Sequence, residues 1–358
     1  MSAAETRLER LRADLIAEEI DALLVTNLTN VRYLTGFSGT NGQVLVSPQA
    51  ALFFTDPRYE ARAATLVDGA EVVLYPNDLT DVLPRYLEGS GVERLGVEAS
   101  TMTLVQRDSF AQMGTARLIP TVDVVEGLRR RKDAAEIEDI RSAVAIADDA
   151  FRWVLDRLVP GATEREVAID LEIRMRMSGA EAVSFPPVVG SGPLSAHIHH
   201  SPGTRALEKG DFVMLDFGAK VNGYCSDLTR TVVLGAAEPE QIAQYALVLE
   251  AQEAAINQVA PGVDAAYVDR RARQVISDAG YGDNFGHGLG HGVGLDIHEA
   301  PTLKKVSRDV LAPGDVVTIE PGVYLDGKGG VRIEDCVLVT ETGHEVLSAA
   351  HKTELVQL

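Results

Sequence analysis

Two stretches of this chain read nearly as copies: Gly210-Asp211-Phe212-Val213-Met214-Leu215-Asp216-Phe217-Gly218 and Gly314-Asp315-Val316-Val317-Thr318-Ile319-Glu320-Pro321-Gly322. Glycine, aspartate, valine, an aliphatic residue, an acid and a second glycine fall at the same offsets. Each copy is a continuous apolar run that ends on a carboxylate, the pattern of a buried strand. Each leads through a turn into a second strand with another acid. After Asp216 the turn is Asn222-Gly223, a strong type I′ hairpin signal, and the acid is Asp227. A two-residue turn there sets Gly218 opposite Asp227, with Asp216 diagonally in reach. After Glu320, the glycine-rich Gly327-Lys328-Gly329-Gly330 leads to Glu334. Two hairpins with two acids each suggest a pseudo-twofold site between them.

Four carboxylates brought to one place repel each other and must take up protons or cations. Two divalent ions would neutralise them. Ordinary solvated acids at strand ends are the alternative, but the apolar runs before Asp216 and Glu320 argue for burial, and buried acids need partners. A donor set of oxygens with one imidazole suits hard ions of the Mn²⁺ type, with Co²⁺ or Zn²⁺ as other candidates. Such a metal pair activates water and polarises a carbonyl.

Histidine can supply the nitrogen. Of eight in the chain, three lie in one run: His287-Gly288-Leu289-Gly290-His291-Gly292-Val293-Gly294-Leu295-Asp296-Ile297-His298. No glutamate follows the first histidine, and alternate glycines disfavour the helix of a zinc-protease motif. An extended glycine-rich segment instead lets backbone approach a site closely. Three more histidines, His197, His199 and His200, precede the first hairpin. Asp216-Phe217-Gly218 spells a kinase metal-binding tripeptide, but no phosphate loop or catalytic His-Arg-Asp accompanies it. Cys225 and Cys336 stand two residues beyond or before these acids along their strands, either as soft ligands or as small buried hydrophobes.

The rest of the chain sets limits. Its 358 residues suit two domains. The net charge of −20 argues against a nucleic-acid or anionic-membrane partner. No apolar run is long enough to span a membrane. Two cysteines suit a reducing compartment, and the charged N-terminus lacks the apolar core of a leader, so the expected location is cytoplasmic. Up to residue 127, strand patterns at 22–25, 52–55 and 71–75 alternate with helical patterns at 5–19, 58–67 and 79–88, predicting an α/β domain. The basic cluster Arg129-Arg130-Arg131-Lys132 reads as a solvated linker. From 128 to 358 an α+β domain is expected. It opens with a helix whose apolar face runs from Ile137 to Leu158, followed by a capping box, Thr163-Glu164-Arg165-Glu166.

These motifs resemble the pita-bread metallopeptidases: aminopeptidase P, prolidase and methionine aminopeptidase. The resemblance is carried by Leu215-Asp216-Phe217-Gly218, Ser226-Asp227-Leu228-Thr229-Arg230-Thr231, the histidine run, Ile319-Glu320-Pro321-Gly322 and Val331-Arg332-Ile333-Glu334-Asp335. It implies two divalent ions held by Asp216, Asp227, His291, Glu320 and Glu334, with Asp227 and Glu334 bridging. It implies Glu320 as proton carrier and His199, His287 and His298 as substrate and proton-handling histidines. Arg332 would steady Glu334 or the substrate's carboxyl end. His199 is preferred over His200 by its distance to Asp216. Asn30-Val31-Arg32-Tyr33-Leu34-Thr35-Gly36-Phe37-Ser38-Gly39-Thr40 and Thr55-Asp56-Pro57-Arg58-Tyr59 resemble the creatinase-type N-terminal domain. Methionine aminopeptidases lack that domain, and creatinase lacks the metal set. The implied activity is removal of an N-terminal residue preceding proline, with the N-terminal domain favouring an Xaa-Pro aminopeptidase. A prolidase restricted to dipeptides is the alternative, and a non-catalytic peptide-binding module a remote one. Analogy also implies a homodimer.

Overall fold

The apolar runs of the N-terminal part become strands in the computed structural model, which describes residues 2–358. Strands β1 (Ala22–Val25), β2 (Gln43–Val46), β3 (Ala51–Thr55), β4 (Glu71–Leu74), β5 (Arg94–Glu98) and β6 (Arg117–Thr121) form one sheet, ordered β4-β3-β2-β1-β5-β6. Only β2 runs antiparallel to its neighbours. Parallel strands need crossovers. Helices α1 (Ala3–Ala17), α2 (Leu28–Thr35), α3 (Glu60–Leu66), α4 (Pro84–Leu87), α5 (Leu104–Gln112) and α6 (Val124–Arg129) complete this unit. The helix expected over 79–88 is instead a 3₁₀ turn, Leu79–Asp81, and the short α4. Pro84 lacks an N–H to continue a helix, so the helix restarts at it.

The chain divides after Arg129, two residues beyond the expected boundary, because α6 buries Val125 and Leu128 in the first unit. The solvated-linker reading of the basic cluster is corrected. Arg129 is buried and donates to Asn30 Oδ1 at 2.7 Å. Arg130 pairs with Asp315 at 2.9 Å, and buried Lys132 with Glu299 at 3.2 Å.

The second unit opens with α7 (Ala134–Val154) and α8 (Glu164–Met177), the latter started by the expected Thr163–Glu166 capping box. Strands β7 (Ala182–Val183), β8 (Val188–Ser191), β9 (Phe212–Phe217), β10 (Ala219–Val221), β11 (Tyr224–Cys225) and β12 (Leu228–Val233) follow. Phe151, Leu171 and Met175 from the helices pack on Val213, Leu215 and Phe217. The sequence then repeats the plan. Helices α9 (Pro239–Ile256) and α10 (Ala265–Asp278) cover a sheet built from β13 (Gly290–Gly292), β14 (Glu299–Leu303), β15 (Val316–Ile319), β18 (Asp335–Val339) and β19 (His344–Val346). Between β15 and β18 the chain forms the hairpin β16 (Gly322–Leu325) and β17 (Gly329–Arg332). Val248, Ala251 and Val268 pack there on Val317, Ile319 and Val337.

The first hairpin keeps the expected register. Lys220 pairs with Cys225 and Phe217 with Leu228, so Gly218 faces Asp227 and Thr229 faces Asp216. Asn222 and Gly223 have φ of 48° and 89°, as a type I′ turn requires. In the second, Ile319 pairs with Asp335 and Gly322 with Arg332, so Glu320 faces Glu334. No helix among the described residues is long and apolar enough to cross a membrane.

Candidate metal centre

Strand alternation turns Asp216, Asp227, Glu320 and Glu334 toward one cavity of about 500 Å³. His199, His287, His291, His298 and Arg332 line it too, so every site residue singled out from the sequence meets there. Phe185, Pro186, Pro187, Ile198, Pro202 and Ile297 form its less polar wall. A larger hollow of about 680 Å³ lies in the first unit. Its Asn41, Asp56 and Tyr75 already bond one another, whereas the smaller cavity holds unsatisfied groups.

One ligand atom each from Asp227, His291 and Glu334 lies within 4.8 Å of the others. His291 Nε2 is 3.4 Å from Glu320 and 3.6 Å from Asp227. Its Nδ1 faces the Gly292 carbonyl at 3.0 Å, an arrangement that puts the proton on Nδ1 and the lone pair toward the acids. Asp216 pairs with Arg332 at 2.5 Å through Oδ2. Oδ1 of Asp216 and Oδ1 of Asp227 are buried without a hydrogen-bond partner among the described residues.

The electrostatics agree with the geometry. Burial, then the charges of Glu334, Asp216 and Glu320, push the Asp227 carboxyl well above its usual range. Burial and the neighbouring Glu320 and Asp216 do the same to Glu334. Burial lifts Glu320 to about 7 although Arg332 opposes it. Burial lowers His291, and it holds His287 neutral at about 3. Three acids that resist ionisation, orphaned carboxylate oxygens and a lone pair aimed among them fit hard divalent cations.

Three further groups belong to this site and escaped the sequence reading. Tyr324 is buried, with its hydroxyl 2.8 Å from His287 Nε2 and 2.9 Å from Arg332 Nη1. Thr229 donates to Glu334 at 2.7 Å and accepts from Arg332 Nε at 3.1 Å. Thr318 donates to Glu320 at 3.1 Å and accepts from the His291 N–H at 3.0 Å. The strand period of two was the available signal: Thr318, Glu320 and Tyr324 share a face, as do Asp227 and Thr229.

His199 and His298 are exposed at the rim, and His200, which also lines the cavity, lies 2.8 Å from Glu164 through Nε2. The glycines of the histidine run do serve close approach: a Cβ on Gly290 would sit 2.0 Å from the Thr318 carbonyl oxygen. Buried Cys336 points its thiol at the Asp227 carbonyl at 3.3 Å, and buried Cys225 at that of Leu295 at 3.8 Å. Neither lines the cavity.

Known proteins resemble this chain in sequence and fold. Residues 138–341 match Metallopeptidase family M24, and residues 7–131 match the Creatinase/Prolidase N-terminal domain. The structure of an Xaa-Pro dipeptidase from Bacillus anthracis superposes with a TM-score of 0.97 at 42% identity, covering 99% of this chain and 100% of that one. An Xaa-Pro dipeptidase of Pyrococcus furiosus is 37% identical over 97% of this chain and 98% of its own length. An X-Pro aminopeptidase from Thermotoga maritima gives a TM-score of 0.91 at 36% identity, covering 98% and 100% of the two chains. With both domains matched and relatives alike from end to end, this chain belongs to metallopeptidase family M24, in its pita-bread Xaa-Pro peptidase branch, and is a metallo-exopeptidase.

Proposed function

We propose that this protein is an Xaa-Pro dipeptidase, cleaving dipeptides with proline in second position. The observation that carries the reading is its end-to-end likeness to proteins named Xaa-Pro dipeptidase, both domains included. That likeness reverses the preference for an aminopeptidase. The N-terminal motifs behind that preference occur equally in a domain shared with prolidases, so they do not discriminate.

Asp216, Asp227, His291, Glu320 and Glu334 would hold two divalent ions of the Mn²⁺ type. When bound, such ions polarise the scissile carbonyl and make water nucleophilic near neutral pH. The side chains do the rest. An Xaa-Pro bond has no N–H to grip, so recognition falls on the groups around it. The wall of Phe185, Pro186, Pro187 and Ile297 offers apolar surface to a pyrrolidine ring. Thr318 fixes one Glu320 oxygen, leaving the carboxylate to take a proton from the attacking water and return it to the departing proline nitrogen. His199 and His298, at the rim, would orient the substrate's ends. His287 has its ring nitrogens occupied by Gly288 and Tyr324, so it shapes the cavity and holds Tyr324 against Arg332.

The test compares an Xaa-Pro dipeptide with an Xaa-Pro-Xaa tripeptide, on chelator-treated protein before and after Mn²⁺ is added. Mn²⁺-dependent cleavage faster on the dipeptide is expected. Faster cleavage of the tripeptide would establish the second reading, an Xaa-Pro aminopeptidase, which the Thermotoga maritima relative favours. No cleavage of either with Mn²⁺ would reject both. The proposal includes a homodimer, which a monomer mass by light scattering would remove.

A further inference from the structure

The loop that brings His199 to the cavity is tied at its neck by one buried carboxylate. Strand β8 ends at Ser191, the chain passes through 192–202, and it returns at Gly203 beside the first turn of α8. Glu164, the first residue of α8, is fully buried. Its Oε1 accepts from the Ser191 N–H at 2.9 Å and from the Ser191 hydroxyl at 2.7 Å. Its Oε2 accepts from the Gly203 N–H at 3.1 Å and lies 2.8 Å from His200 Nε2. A single side chain thus grips the loop's start, its end and a histidine adjoining His199.

Backbone bonds align with this grip. The Glu164 N–H donates to the Arg205 carbonyl and the Arg165 N–H to the Gly203 carbonyl, both at 3.1 Å. Glu164 does not line the cavity, whereas Ile198, His199, His200, Ser201 and Pro202 of the loop do. His199 shares the cavity with Glu320, His287 and His298. Only a carboxylate suits the four donors, since it offers two acceptor oxygens and no N–H. An amide would turn its NH₂ on one pair of them, and a buried donor left without an acceptor is costly. Burial opposes the charge on Glu164, but the bonds from His200, Ser191 and Gly203 outweigh it and keep the carboxyl below its usual range.

We infer that Glu164 is a positioning residue for turnover: by holding Ser191, His200 and Gly203 together, it sets where His199 stands over the acids. The inference rests on the assignment of His199 to substrate handling.

A double-mutant cycle on Xaa-Pro dipeptide hydrolysis, with amide hydrogen exchange on the same proteins, tests it. A change far from the chemistry that misplaces a positioned group can cost about 10²-fold, so Glu164→Gln should lower kcat about tenfold or more with metal content retained. Exchange across 192–203 should accelerate. On a His199→Ala background the same substitution should change kcat by less than about twofold, because the residue it positions is gone. Equal losses on both backgrounds would overturn the inference, as would a His199→Ala enzyme with unchanged kcat. If Glu164→Gln does not fold, His200→Ala removes one hold at a half-buried position and must show a smaller loss with the same dependence on His199. Exchange separates this inference from the function. Unchanged loop exchange in Glu164→Gln overturns the positioning role whatever the substrate, while wild-type protein that leaves Xaa-Pro dipeptides intact overturns the function.

Discussion

The two acid-bearing hairpins share a plan but differ in how their charge is compensated. In the first, a two-residue turn sets Asp227 opposite Gly218 and leaves Asp216 diagonal to it. In the second, the turn from Asp326 to Lys328 is one residue longer, and Glu320 meets Glu334 directly. The returning arm makes the difference: residues 217–221 and 321–325 precede the two turns, but 224–226 lead to Asp227 and 329–333 to Glu334, so only equal arms bring the acids face to face. Arg332 of the second hairpin reaches across to Asp216 of the first and pairs with it at 2.5 Å. Among the described residues, Asp227, Glu320 and Glu334 have no such cation, and all three carboxyls are raised by burial first. The protein thus neutralises one acid itself and leaves three to be neutralised from outside.

The largest effect should follow from removing an acid of the uncompensated group. Glu334→Ala should abolish hydrolysis and lower bound metal, and an active, metal-replete variant would break the assignment. Next comes Glu320→Gln, which keeps shape but removes the anion and proton acceptor. Proton transfer by a placed group is worth about 10²–10⁴-fold, so kcat should fall at least that far in a protein that still folds. The two neighbouring histidines sharpen the contrast. His291→Ala should lose metal, whereas His298→Ala should weaken turnover with more metal retained. The reverse pattern in metal analysis would place the ligand on the wrong histidine.

Smaller effects follow from the supporting groups. Tyr324→Phe removes the hydroxyl shared by His287 and Arg332, and should cost about tenfold in kcat/KM with metal content unchanged. A loss of metal instead would make Tyr324 a support of the ligands themselves.

The uncompensated acids also predict a pH dependence. Glu320 is lifted from 4.5 to about 7 in the folded chain. An acid raised on folding prefers to fold protonated, so its stabilisation is whole below about pH 4.5 and is lost as pH climbs through about 7. For Glu320 alone this is on the order of 3 kcal/mol, and Asp227 and Glu334 act in the same direction. The Tm of metal-free protein should therefore fall between about pH 5 and pH 8, and Mn²⁺ should flatten the profile. A metal-free Tm that holds or rises over that window would contradict the account.

Much of this site was legible because it obeys short-range rules. Asn222-Gly223 dictates its own turn, and the turn dictates the register that faces Gly218 with Asp227. The alternation that points Asp216 and Glu320 inward also places Thr318 and Tyr324 on the same face, so those two were readable and were passed over. What was not legible depends on distant partners. Arg130 finds Asp315, and Lys132 finds Glu299, far along the chain, which no composition of the cluster itself reveals. The hold on His200 comes from Glu164, 36 residues away along the chain, which the sequence around the histidines does not reveal. The preference between dipeptide and longer peptide is a matter of space beyond the proline, which the shared N-terminal motifs do not encode.

The central claim is that this hairpin pair is built for external cations. Metal content measured on purified protein in step with Xaa-Pro dipeptide hydrolysis, as Mn²⁺ is added back after chelation, tests it most directly. The account predicts that activity rises with bound metal and saturates at two ions per chain. Full activity in protein without bound metal would contradict it.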